Sequence, residues 1–288
     1  KDYVSESRYG NVRGMWPLSI GGTTLGLTDI GPTAIPLTNN GVATTISGVR
    51  GIGVSLNGTT QYLSCSDAVC GGTSKLDPGS GSWTLGAWIK TSNASSTQDI
   101  MSKGTTSGQY AYELYTINGV PGMTLINTAN TAYIKADAIK SVADNQWHHI
   151  IGTYDGTTIS IFVDGYYAGS STTKTGTQVT DSTSDFQIGA RTDVSRYFNG
   201  AIDEPFVTAT TLTSGQIKHM FEVGSRALQS HSTTLAGGTA DKNQQLGGAT
   251  NTVGDAKPDW NNQYLYVGTN DTTNGAVSKI DLNSDTTV

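Results

Sequence analysis

Charge is scarce in this chain. Only 14% of its 288 residues are Asp, Glu, Lys or Arg. The 17 basic side chains are scattered and form no run, so the footprint of a nucleic-acid binder is absent. The apolar content of 35% and the small net charge of −6 exclude a disordered chain. No apolar stretch is long enough to cross a membrane as a helix. The sequence opens on Lys1 with no Met and no signal-like apolar core, as expected of a processed product or an excised fragment. Catalytic signatures are missing too: there is no G-x-S-x-G, no Walker A loop and no H-E-x-x-H. There are 2 cysteines, Cys65 and Cys70, in "SCSDAVCGG". A disulfide closing this loop is expected, and it implies an oxidising compartment. The rival, a zinc half-site, has no second ligand pair.

Glycine is plentiful, with 36 copies, and Thr and Ser crowd every segment. This composition is far from helical. "SWTLGAWIKT" alternates with period two and sets Trp83 and Trp88 on opposite faces. "QYAYELYTING" puts Tyr110, Tyr112 and Leu114 on one side and Glu113, Tyr115 and Ile117 on the other. "GVSLNGTTQYLSC" is strand, Asn-Gly turn, strand. Turn signals recur about every ten residues, the spacing of an all-β sandwich. One helix is expected in "TLTSGQIKHMFEVG", with Ile217, Met220 and Phe221 at helical spacing and Gly224 as its stop.

The stretch "QWHHIIGTYDGTTISIFVDG" invites a metal or catalytic reading. Strand geometry argues against it, since His148 and His149 must point to opposite faces. One histidine is then buried and hydrogen-bonded, the other outward. Asp155 and Asp164 precede glycines and fit hairpin turns. Calcium also uses turn aspartates, so that role stays open.

These pieces together resemble the LamG-like, concanavalin A-like jelly-roll domains. "GMWPL", "VRGIGVSLNGTTQYLS", "SWTLGAWIKT", "IMSKGT", the "WHHIIGTYDG…FVDG" hairpin, "FQIGAR" and "YFNGAIDEPFV" follow the family's order. The resemblance spans Tyr9 to Gly224. It implies a two-sheet antiparallel jelly roll with one short C-terminal helix. It also implies a concave face that binds carbohydrate or protein, and a calcium ion in many members. Asp29 in "LTDIG" and Asp203 in "GAIDE" resemble the aspartates that can share such an ion. Asp203 has a rival role, bonding backbone amides at a strand crossing. The family's D-E-V reads Asp203, Glu204, Pro205 here, and Pro205 implies an edge or bulged strand.

Three regions are expected: a jelly roll at 9–224, a Gly/Thr/Ser-rich arm at 225–257, and a β-hairpin at 258–288. The hairpin resembles a fragment of a β-propeller blade and offers an edge for self-association through 225–288. Candidate ligand contacts are Tyr110, Tyr112, Tyr115, Tyr166, Tyr167 and Tyr197, because sugars stack on exposed rings. Jelly-roll glucanases carry E-x-D-x-x-E on one strand, and no such motif occurs here. The expected function is a non-catalytic, extracellular or cell-surface module that recognises a glycan or a surface protein. The alternatives are an assembly subunit of a surface layer, fibre or virion, and a glycoside hydrolase or lyase.

Overall fold

A computed structural model of the chain describes residues 11–19, 24–72, 75–104, 111–129, 131–180, 182–191, 195–232, 253–259, 264–269 and 277–281. The strands of the main body are β1 (Val12–Met15), β2 (Thr38–Asn40), β3 (Thr44–Ser47), β4 (Ile52–Asn57), β5 (Tyr62–Cys65) and β6 (Trp83–Lys90). They continue with β7 (Thr97–Lys103), β8 (Tyr112–Ile117), β9 (Val120–Ile126), β10 (Ala132–Asp137) and β11 (Trp147–Tyr154). The last are β12 (Ile159–Val163), β13 (Tyr166–Ser171), β14 (Phe186–Ile188) and β15 (Asn199–Thr208). Two helices accompany them, α1 (Asp67–Cys70) and α2 (Ser214–Ser232).

The strands form two antiparallel sheets. The first runs β13-β12-β11-β6-β15-β4-β3, with β1 added to β15. The second runs β10-β9-β8-β7-β14-β5-β2. Alternation explains the layer between them. Leu114 faces Met123 and Met101 in register, and Ile188 continues the row to Leu63. All five belong to one buried cluster. Trp16 stacks on Phe186 at 5.4 Å, and Trp83 tilts against Tyr112 at 6.0 Å. This is the jelly-roll sandwich that the alternation implies.

The outer face of the first sheet is covered. Ile151 and Phe206 pack there with Ile217 and Met220 of α2. The helix opens on a reciprocal cap: Thr213 N–H donates to Gln216 Oε1, and Gln216 N–H donates to Thr213 Oγ1. Gly224 is not the stop that the sequence suggests. It sits inside α2, where an added Cβ would lie 2.4 Å from the Trp88 ring. Glycine is there for close packing, and Phe221 stacks on the same ring at 5.7 Å.

Pro205 lies on a central strand, not an edge. The ladder between β15 and β6 shifts register between Asp203 and Phe206, so a bulge absorbs the missing donor. Glu204 in that bulge has φ 48.

Beyond α2, residues 233–252 of the expected arm lie outside the described residues. A separate unit, Thr233–Val288, holds β16 (Val253–Asp259), β17 (Tyr264–Thr269) and β18 (Val277–Asp281). They form an antiparallel sheet in the order β16-β17-β18. The expected hairpin is β17–β18, and β16 adds a third strand that starts inside the expected arm.

Candidate functional site

The second sheet leaves its outer face polar. Lys135, Thr124, Glu113, Ser102, Gln187, Ser64 and Thr38 stand opposite one another in unbroken register from β10 to β2. Each is one residue out of step with the core row, so all point away from it. Ala190, Arg191 and residues 195–198 lie against part of this face. They are pinned where Asp99 N–H donates to the Arg196 carbonyl (2.9 Å) and Ser102 Oγ donates to the Ala190 carbonyl (3.0 Å).

Beside these residues lies a cavity of about 260 Å³. Glu113, Tyr115 and Thr124 line it with Lys135, Arg191 and Arg196. Arg196 Nη1 lies 3.3 Å from both oxygens of Glu113 and 3.8 Å from Asp99 Oδ1. Asp99 is fully buried, while Arg196 remains about one-third exposed. One guanidinium thus neutralises two carboxylates from adjacent strands and still faces the cavity. Arg196 holds φ 51, a left-handed conformation that aims its side chain at them.

Tyr115 forms the floor. Its hydroxyl donates to Asp137 Oδ1 at 2.6 Å, and Lys135 Nζ lies 5.4 Å from its ring centroid. Burial, then the Asp137 bond, pushes its phenol well above the ordinary range. Tyr115 therefore stays a neutral donor. Thr97, Thr131, Ile117 and Ile126 complete the wall. Such a surface offers oriented donors, acceptors and small apolar patches together.

The other candidate residues are placed as follows. Tyr110 lies outside the described residues. Tyr112 is a core residue on the opposite face of β8 from Tyr115, and its hydroxyl donates to the Leu76 carbonyl at 2.9 Å. Period-two alternation makes it an internal ring, so it is no ligand contact. Tyr197 is half-buried among the covering residues, 6.1 Å from Tyr62. Tyr166 and Tyr167 are each 62% exposed on the β12–β13 hairpin, apart from this cavity.

Asp29 and Asp203 are both buried and spent on the backbone. Asp29 accepts from the N–H groups of Met15 (2.7 Å) and Gly31 (2.6 Å) and from Thr33 Oγ1 (3.2 Å). Asp203 accepts from the N–H groups of Val49, Arg50 and Glu204. Burial, then the Glu204 charge, pushes Asp203 well above the carboxylate range against those amides. Among the described residues, no group of three or more His, Cys, Asp or Glu is arranged to hold a metal ion.

Cys65 and Cys70 are free, buried thiols here, in place of the expected disulfide. The helical turn α1 between them lets Cys70 Sγ donate to the carbonyls of Cys65 (3.2 Å) and Ser66 (3.1 Å). Their mutual contact raises Cys65 and lowers Cys70. The same loop is anchored by the buried Lys103, 2.7 Å from Asp67 and 3.2 Å from Asp77.

The histidines of β11 do face opposite ways. His149 is buried and stacks on Trp88 at 4.8 Å. Among the described residues neither of its ring nitrogens has a hydrogen-bond partner, contrary to the bonded role expected of the buried histidine. His148 is the bonded one: Nδ1 meets Asp164 Oδ2 at 2.7 Å and Nε2 meets Asp144 Oδ1 at 3.1 Å. Asp164 (φ 53) and Gly165 (φ 80) make the tight turn that the Asp-Gly pair predicts.

The comparisons agree with this architecture. The family model described as the Concanavalin A-like lectin/glucanases superfamily matches residues 57–218, more than half of the chain. The chain belongs to that superfamily. A search of curated proteins finds no match. Among solved structures, the binding domain of Paraclostridial Mosquitocidal Protein 1 is similar, with a TM-score of 0.58 and 12% identity. That match covers 74% of this chain and 52% of the other. A structure of botulinum neurotoxin type C, whose cell entry is described as dependent on interaction with two ganglioside molecules, gives a TM-score of 0.58 at 11% identity. It covers 76% of this chain and 52% of that one. At such identities the likeness shows the superfamily fold alone, and the chain spans about half the length of these neighbours.

Sequence reasoning missed Glu113, Thr124, Lys135, Arg191 and Arg196 as a set. The alternation of "YELYTI" did carry part of the signal, since it put Glu113 beside Tyr115 on one face. The covering role of Arg196 depends on contacts across the chain that no local pattern records.

Proposed function

We propose that the chain is a non-catalytic binding module that holds a carbohydrate in the cavity on the outer face of its second sheet. The observation that carries this reading is the Arg196–Glu113 pair beside Tyr115 and Thr124. A planar guanidinium and a fixed carboxylate present donors and acceptors side by side, which suits vicinal hydroxyls. The apolar edges of Ile117 and Ile126 suit the C–H face of a sugar ring. A glycan is favoured over a surface protein because the cavity is small and polar, whereas a stable protein interface needs more than about 1,000 Å². Superfamily membership and similarity to toxin binding domains support the same direction. We place the module outside the cell, where its ligand would be displayed.

A glycan array tests the proposal, run with and without calcium because superfamily resemblance raises that ion. Binding that weakens at least tenfold in Arg196→Ala is the expected result. No binding to any glycan under either condition would overturn it.

A further inference from the structure

The described residues leave six large hydrophobic side chains exposed, and three of them, Ile139, Tyr166 and Tyr167, lie in one place. They line a groove of about 410 Å³ where the loop after β10 meets the β12–β13 hairpin. Val142, His148 and Asp164 line it as well. It shares no lining residue with the cavity on the second sheet.

Both tyrosine rings are held in position. Tyr167 meets Phe162 edge-on at 6.0 Å, and its hydroxyl is 2.6 Å from Ser170 Oγ. Tyr166 lies under Lys218 of α2, whose Nζ is 5.8 Å from the ring centroid. Rings fixed in this way lose little freedom when a ligand stacks on them. The inner end is polar, where the His148 ring is clamped between Asp164 and Asp144.

The charges around the groove choose the ligand class. Asp144 and Asp164 are set against His148, Lys140 and Lys218. Neither sign dominates, so neither an anion nor a cation is selected. What fits is an uncharged molecule with an apolar face for the rings and hydroxyls for the carboxylate–imidazole end. We propose that this groove is a second saccharide site, which takes an uncharged pyranose residue stacked on Tyr166 or Tyr167. An aliphatic peptide would use the rings and leave the clamped histidine without purpose. The proposal stands on this groove alone and does not require the first cavity to bind.

The test is an amide and methyl NMR titration of the full chain. The probes are the methyl glycosides of glucose, galactose, mannose and N-acetylglucosamine, with N-acetyl-leucine amide as the apolar control. At least one glycoside should shift Ile139, His148 and Tyr166 at millimolar concentration. The double variant Tyr166→Ala/Tyr167→Ala should weaken those shifts at least tenfold. Any perturbation at Glu113 and Thr124 should persist in it, which separates this groove from the first cavity. Ile139→Glu, at a position 83% exposed, gives an independent variant that should also weaken binding. The proposal fails if no glycoside shifts the groove, if the shifts survive the double variant, or if only N-acetyl-leucine amide binds.

Discussion

The two sheets of the sandwich share a core, yet their outer faces differ in kind. On the first sheet, Ile151, Phe162 and Phe206 point outward and are buried under Ile217 and Met220 of α2. On the second sheet the same positions hold Lys135, Thr124, Glu113, Ser102 and Gln187 in one row. An apolar outer face must be covered, and covering it leaves no room for a ligand. A polar outer face needs no helix: here Ser102, Gln187, Glu113 and Thr124 are buried, and the face opens at the cavity beside Lys135 and Arg196. Under α2 the first face serves stability, and binding can reside in the cavity of the second face and in the groove at the β12–β13 edge.

The largest effect that would sharpen this contrast is on the covered face. Phe206 is 1% exposed between Ile151 and α2. Phe206→Ala should cost about 3–5 kcal/mol, since a buried ring is replaced by a cavity. Urea unfolding followed by tryptophan fluorescence measures it. A loss under 1 kcal/mol would mean that α2 does not seal this face.

Next in size is a pH effect, also from the covered face. Burial holds His149 down at about 4, below its ordinary value of 6.5. As pH falls, the unfolded chain takes the proton first. The stability from a neutral His149 is thus complete above pH 6.5 and declines as pH drops towards 4. A shift of that size corresponds to roughly 3 kcal/mol. His148 works in the opposite sense. Its bond to Asp164 raises it, so its contribution is present below about pH 6.5 and is lost as pH rises through the folded value. Asp203, raised by burial, also favours the folded state in acid, so the wild type alone mixes three slopes. The difference between wild type and His149→Phe isolates one of them. Stability measured from pH 7 to pH 4 should fall less in the variant, and parallel curves would refute the assignment.

A smaller effect belongs to the open face. Arg196→Ala removes the cation shared by Glu113 and Asp99, and about 1–2 kcal/mol of stability should go with it, because the arginine is partly solvated. Glycan affinity should fall at least tenfold. Equal losses from Arg196→Ala and Arg196→Lys would show that the planar fork matters and not charge alone.

The sequence makes the sandwich legible for a simple reason. Alternation is local, and "SWTLGAWIKT" or "YELYTI" declares two faces without reference to any partner. It also separates His148 from His149 correctly. It does not say which face is covered. Tyr112 and Tyr115 look equivalent in sequence, yet one ring is internal and the other floors a cavity. Gly224 looks like a helix stop because the Trp88 ring that demands it is remote in the chain. Arg196 escapes notice because its partners, Glu113 and Asp99, come from strands far earlier in the chain. The exposed pair Tyr166 and Tyr167 is legible as candidate contacts, since a turn followed by two aromatics on an edge strand leaves rings unburied.

The smallest effect is the most discriminating between the faces. Thr124 stands in the polar row between Lys135 and Glu113, and its hydroxyl donates to the Ile134 carbonyl at 3.2 Å. Thr124→Val keeps the shape and the β-branch and removes only the hydroxyl. Stability should change by no more than about 0.5 kcal/mol, because a strand favours valine and the lost bond is weak. Affinity for a glycan in the adjoining cavity should still fall several-fold, since Thr124 lines it. The same change on the covered face would register in stability and leave binding alone. If Thr124→Val alters neither quantity, the ligand does not reach the centre of the row. The site would then contract to the Arg196 end of the sheet.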